Sequence, residues 1–338
     1  MKSIYITLFA TAFCTSITIG CDNSNIEITD VDESEITEPL VSPKDQSVMN
    51  RYKFSHLHLS ENEVNDRVLK LASAMAPDSS FSYPSVKIAD DESIKEDGGD
   101  MVYSIPFKGV NGIRVGYDSS NSLLRINNMS LLTTRFEDHK SFERNPEGIG
   151  EKKAIEKMVE CLDRLDDNKL LDKSNYDLNK VHVTYVRTGR GSRGEPEGKH
   201  EWIEEYQFAM NRQLDGIPVY GAFARIGVFR DGQISSINVA DVEIERIQEI
   251  LKVRTVDDYD IMKKFQSKYI NNSDYEITND EIAYFFPKGA DSMELEPMKI
   301  ISYSPTFESE GHKFISRPLT VGHSLTDKDA PFIDFSPE

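Results

Sequence analysis

The sequence predicts an α+β protein of tandem small domains, each a helix packed on an antiparallel β-sheet. Three observations predict it. A capping-box pattern at Ser60-Glu61-Asn62-Glu63 opens a helical stripe of Val64, Val68, Leu69, Leu71, Ala72 and Met75. Ninety positions on, Ala154, Met158, Val159, Cys161, Leu162 and Leu165 fill the same six places of a second stripe. Each helix is followed by short apolar-rich segments separated by Gly, Asn, Asp and Ser, the pattern of strands joined by tight turns.

Residues 1–21 carry one lysine, Lys2, an apolar run from Ile4 to Phe13, and then small or polar residues up to Thr18-Ile19-Gly20-Cys21. The run is too short for a stable membrane span and lacks stop-transfer flanks, so it reads as a removable export signal. It resembles the signal of bacterial lipoproteins, in which cleavage before the cysteine is coupled to lipidation of its thiol. Gly20 and Cys21 fit that motif, whereas Thr18 stands where it usually has Leu. The resemblance implies that Cys21 bears the lipid. Residues 22–55 are expected to form an acidic, disordered tether, since Asp22 to about Asp45 is rich in Asp, Glu, Ser, Asn and Pro and shows no apolar period.

The first unit is expected over 56–145, with its helix ending at Pro77 and strands at Val86 to Ala89, Val102 to Phe107, Gly112 to Tyr117 and Leu123 to Asn127. The second covers 146–250. Its helix starts near Gly150, and its strands are Val181 to Arg187, Trp202 to Asn211, Val219 to Phe229 and Gln233 to Val242. Gly112-Ile113-Arg114-Val115 aligns with Gly216-Ile217-Pro218-Val219, and Leu123 to Asn127 aligns with Ile234 to Asn238. A third unit, 251–320, would open at Thr255-Val256-Asp257-Asp258 with a stripe of Tyr259, Met262, Phe265 and Tyr269. Its strands would be Ile282 to Phe286, Met298 to Ser304 and Lys313 to Arg317, before an irregular tail over 321–338. A period near 100 residues points to tandem domains rather than a solenoid.

Residues 201–244 read as a meander in which Leu214-Asp215-Gly216 makes a tight turn and Arg230-Asp231-Gly232 a hairpin. This segment resembles the PepSY and FTP domains of secreted metalloprotease propeptides and envelope lipoproteins. The resemblance rests on Asp215-Gly216-Ile217-Pro218-Val219-Tyr220-Gly221 and Asp231-Gly232-Gln233-Ile234, and units one and three share it weakly. It implies a binding or modulating module. No His-Glu-x-x-His helix occurs in the sequence, so a protease regulated in this way would be a separate chain.

With 338 residues, 38% apolar and 29% charged, the chain has the composition of a globular protein with room for two or three domains. Its net charge of −19 repels nucleic acid and anionic lipid surfaces, so membrane contact is expected through the anchor alone. Once Cys14 leaves with the signal and Cys21 is acylated, Cys161 is the remaining thiol, and its place on a helical stripe reads as a buried small hydrophobe. His56-Leu57-His58 has two-ligand spacing for a metal, but no motif completes a site, and polar surface near the end of the tether is the expectation. The acidic pairs Asp90-Asp91, Glu204-Glu205 and Asp257-Asp258 read as solvated faces or helix starts. Asn272 to Glu276 has Ile277 where a calcium loop needs glycine. No nucleophile elbow, phosphate loop or dinucleotide fingerprint is present, and no cofactor is implied.

One local charge reversal stands out: Arg187, Arg190, Arg193 and Lys199 lie in a glycine-rich loop between two expected strands. It is the candidate contact site for an acidic partner or for a phosphate-bearing glycan or lipid head group, against the plainer reading of a long hairpin loop with no ligand. The chain therefore reads as a lipid-anchored, non-enzymatic envelope protein that binds another envelope or secreted protein, such as a protease or sensor. Two alternatives stay open: a structural surface lipoprotein of a larger assembly, and an enzyme whose polar residues converge only in three dimensions. A deep pocket with two carboxylates, or a Cys161–His pair, would favour the enzyme.

Overall fold

The computed structural model describes residues 48–57, 59–77, 101–107, 110–118, 122–128, 142, 144–189, 201–253, 274–285, 293–309, 312–315, 319–327 and 329–335. The signal, Cys21, most of the tether, the strand expected at Val86 to Ala89 and the third expected helix lie outside them. In chain order the elements are β1 (Val48–His56), α1 (Glu61–Met75), β2 (Met101–Phe107), β3 (Val110–Asp118), β4 (Leu123–Asn128) and α2 (Glu151–Asp167). Then come β5 (His182–Gly189), β6 (Glu201–Leu214), β7 (Ile217–Phe229), β8 (Ile234–Ala240) and β9 (Val242–Lys252). The last are β10 (Asp274–Phe285), β11 (Met293–Glu294), β12 (Glu296–Ser309), β13 (His312–Ile315), β14 (Leu319–Ser324) and β15 (Ile333–Asp334).

Both helices form where their local chemistry places them. The Ser60 hydroxyl accepts the Glu63 amide at 3.5 Å and the Glu63 carboxylate accepts the Ser60 amide at 2.7 Å, closing the capping box. Helix α2 starts without a side-chain cap at Gly150, whose φ of 80° suits glycine, and buries Ala154, Met158, Cys161, Leu162 and Leu165. The two buried faces share one core with Val115, Ile126, Phe208, Ile226 and Ile237 of the sheet.

The tandem helix-on-sheet arrangement expected from the sequence is not what forms. The protein is mostly β, and one mixed sheet of twelve strands runs through all three expected units. Part of it follows the order β5-β6-β7-β8-β4-β3-β2, with the helices packed on its β6, β7, β8 and β4 strands. The junction is the antiparallel pair β4–β8, in which Ile126 faces Ile237, its own counterpart in the repeat. The neighbouring pairs agree: Val115 lies beside Ile126 as Ile226 lies beside Ile237. Two equivalent strands paired antiparallel about equivalent residues define a local pseudo-twofold axis. The helices also meet at counterpart positions, where Arg164 Nε donates to Ala74 O at 2.8 Å, ninety positions apart.

The physical reason for fusion lies at the edges. As separate units, β4 and β8 would each expose a row of unpaired amides and carbonyls beside a buried apolar face. Pairing them satisfies both rows and leaves Ile126 and Ile237 fully buried. The register also corrects the sequence alignment of Gly112 to Val115 with Gly216 to Val219, since the structural counterpart of Val115 is Ile226.

Strand β7 changes neighbours along its length. Val219 and Tyr220 pair in parallel with Tyr284 and Phe285 of β10, whereas Phe223 to Val228 pair with β8. Gly221, at φ 108°, sits in the intervening kink, where the β6–β7 register also shifts. Beyond β10 the sheet continues through β12, β14 and β15. A separate three-stranded sheet, β11-β1-β9, supplies Met49, Tyr52, Phe54 and Val242 to a second core with Val219 and Tyr284. Strand β1 thus lies across the expected limit between tether and first unit, and β14 and β15 enter the stretch expected as irregular tail.

Candidate functional site

Arg187 lies near the end of β5 with its guanidinium 5.7 Å from the centre of the Tyr185 ring, while the Tyr185 hydroxyl donates to Glu151. Arg190, Arg193 and Lys199 lie outside the described residues, as does His58. Cys161 is fully buried, and burial pushes its thiol up to about 12, with Arg164 opposing. A thiol so shielded is a packing group rather than a nucleophile.

Two expectations of solvated polar groups are corrected by burial. His56 is 5% exposed, stands edge-on to Phe54 and has Nδ1 3.2 Å from Ser122 Oγ, so it belongs to the interior. Glu204 and Glu205 are buried as well. The Glu205 carboxylate accepts the Ser235 hydroxyl at 2.8 Å, and it fits because Gly227 on the adjacent strand has no side chain. A Cβ at position 227 would overlap that carboxylate and both Ser235 and Ser236 hydroxyls.

The chemically richest place is a cavity of about 350 Å³ lined by Asp166, Lys169, Leu170, Leu171, Asp172, Asn175, Tyr176, Arg212 and Asp241. Helix α2 delivers its C-terminal turn to one side. The chain reverses at Lys169, which adopts φ 56°, and continues through two short 3-10 turns, 173–175 and 178–180. Asp172 caps the first by accepting the Ser174 amide at 3.0 Å, and Asp177 caps the second at Asn179 with the same distance. Between them Tyr176 forms an isolated bridge to Arg212.

Arg212 comes from β6 at the point where its register with β7 shifts. Its Nη1 donates to Asp241 Oδ1 at 3.0 Å and to Val242 O at 2.8 Å, which ties β6 to the β8–β9 junction. Its Nε is buried and has no hydrogen-bond partner. Burial raises the Asp241 carboxyl against the pull of Arg212 and Arg67, while the Ser174 hydrogen bonds lower Asp172. The Tyr176 ring is 7% exposed, and burial, then Asp241, push its hydroxyl up.

None of Asp172, Tyr176, Arg212 and Asp241 is distinguished in the sequence. The Asp-Lys-Ser and Asp-Leu-Asn triplets signal the two turns, but nothing in the chain links Arg212 to Asp241, 29 positions away. Among the described residues no group of three or more His, Cys, Asp or Glu is placed to hold a metal ion. Nor is any described helix long and apolar enough to cross a membrane.

No family model matches the chain, and no curated protein matches it. Among solved structures it is similar to an uncharacterized protein from Eubacterium rectale ATCC 33656 at 13% identity and a TM-score of 0.48, over 88% of this chain and 89% of that one.

Proposed function

We propose that the protein is a lipid-anchored, non-enzymatic component of a bacterial cell envelope, facing the periplasm or exterior, whose PepSY-like sheet binds or modulates another envelope or secreted protein. The observation that carries this reading is the export-type segment ending at Cys21, followed by an acidic stretch without apolar period. An anchor and a spacer hold a binding surface at high local concentration beside a membrane. Two helices on one continuous sheet give that surface a rigid support, and Asp215-Gly216, with φ of 53° and 76°, makes a tight two-residue hairpin turn at one end of it.

The contact site on this reading is the end of β5 and the basic loop that follows Arg187, a positive patch on a chain of net charge −19. An acidic partner surface would be steered to it. A second reading, catalysis, has one observation in its favour: Asp172 and Asp241, with carboxyls shifted in opposite directions, line the same cavity. Against it, Asp172 is engaged in capping a turn and Asp241 in holding Arg212.

Affinity capture from detergent-solubilised envelopes tests the binding reading. Wild-type protein is expected to recover a specific partner that is lost when Gly189 to Gly198 are deleted. Identical recovery by the deletion variant would remove the basic loop from the contact.

A further inference from the structure

We infer that the protein partner is held by strand addition: an extended segment of it, with acidic and apolar residues in alternation, pairs along the outer edge of β5 from His182 to Val186. The inference rests on the binding function proposed above and supplies its mode of contact. Among the described residues β5 pairs with β6 alone. Its register is unbroken from His182 to Val186, before the bulge at Arg187, so alternate residues of this stretch present their amide and carbonyl outward. The other long edges are blunted. Strand β2 contains Pro106, which offers no N–H, beside a register shift. Strand β9 exposes Glu243, Glu245 and Arg246, and β10, beyond its short pairing with β7, carries Asp280, Glu281 and a register shift. The stretch His182-Val183-Thr184-Tyr185-Val186 has no proline, lysine or carboxylate, and its valines, threonine and tyrosine favour strands.

The two flanks of this edge define the segment. On the helix side Val183 and Tyr185 lie at the rim of the main core, where apolar side chains of an added strand would extend it. On the other side the register sets His182 beside Ala209 and Ala209 beside Arg225. Arg225 is exposed, its guanidinium 4.4 Å from the centre of the Phe223 ring, and only small Ala209 stands between it and the edge strand. Partial desolvation and then the Arg225 charge hold the His182 imidazole below its ordinary value, so the cation on this flank is Arg225. The Glu205 carboxylate, from the position opposite Val186, is turned away to Ser235 of β8. Arg187, exposed at the strand's end, adds a second cation. A second copy of β5 would bring a further Arg187 and no carboxylate, so an acidic segment of another protein is the better complement. At physiological salt, charges are screened beyond about 8 Å, and these local cations count for more than the net charge of −19.

Hydrogen exchange on the full mature chain, in about 0.15 M salt, tests the inference with acetyl-Glu-Val-Glu-Ile-Glu-Val-Glu-amide as the probe. The probe is expected to slow exchange within 182–186, and its counterpart with lysine for glutamate to bind about tenfold or more weakly. N-methylation of one alternate set of its amides should abolish binding, because that set bonds to β5, while the other set tolerates it. Arg225→Glu, at an exposed site, is expected to weaken the probe about fivefold. No binding, binding that leaves 182–186 unprotected, equal binding of the lysine peptide, equal tolerance of both methylated sets, unchanged affinity in Arg225→Glu, or a dimer that protects this stretch without peptide would each overturn the assignment. Failure here is separable from failure of the binding function. A partner recovered by the envelope capture that leaves β5 unprotected overturns strand addition alone, whereas capture of no partner overturns the function and the probe still decides the edge.

Discussion

Replacing Ile237 with Ala is expected to destabilise the protein by about 2–5 kcal/mol, since a fully buried aliphatic side chain would leave a cavity that its neighbours fill only partly. Ile126→Ala is expected to cost a similar amount. The two sites face each other across β4–β8, so the double variant should depart from additivity. The location makes the prediction specific to this architecture. Both side chains point into the core shared by α1 and α2, on the strands that join the two copies of the repeat. Urea unfolding followed by far-ultraviolet circular dichroism, and by fluorescence of Trp202 in the second copy, should therefore show both signals moving together. Tandem independent domains would instead give separate transitions, with Ile126→Ala leaving the Trp202 signal in place.

Lys299→Ala is the second large effect. Lys299 on β12 pairs with Asp280 on β10, and the two side chains are 7% and 17% exposed. Removing the ammonium leaves a carboxylate largely excluded from water, a change expected to cost about 3–5 kcal/mol. Thermal unfolding would report it as a clearly lowered midpoint. Lys299→Met combined with Asp280→Leu should recover most of the loss, because the penalty comes from a half-hidden carboxylate that has lost its ammonium rather than from the missing attraction. A single variant as stable as wild type would show that Asp280 is solvated or neutralised by other means.

Local structure was legible in the sequence because short-range chemistry governs it. The Ser60–Glu63 box, the 3.6-residue stripes and the Asp215-Gly216 turn all appear where the residues place them. At Arg230-Asp231-Gly232 only Gly232 takes positive φ, at 93°, so that hairpin has a longer loop than an Asp-Gly two-residue turn. Strands β1 and β9 carry no clear alternation in sequence, for a related reason. Their mutual register shifts between Asn50 and Arg51, which breaks the alternation of inward and outward residues in both strands.

The arrangement of the two copies was not legible. A repeat in sequence is equally compatible with separate domains and with one sheet closed about a dyad, and what decides is the cost of two exposed edges, a property of the assembled strands. The cavity was hidden for the same reason. Arg212 and Asp241 are ordinary in sequence and become a pair only when β6 passes the β8–β9 junction. In sequence Glu205 is half of an acidic pair suited to solvent, yet Gly227 on the adjacent strand makes room for it inside.

The central functional claim is that Cys21 anchors this sheet to a membrane, and metabolic labelling with a palmitate analogue tests it most directly. Wild-type protein expressed in a bacterial host is expected to incorporate the label and to fractionate with membranes. Cys21→Ala is expected to lose the label and to appear in the soluble fraction. An unlabelled wild type, or a Cys21→Ala variant that keeps its label and its membrane fraction, would contradict the account.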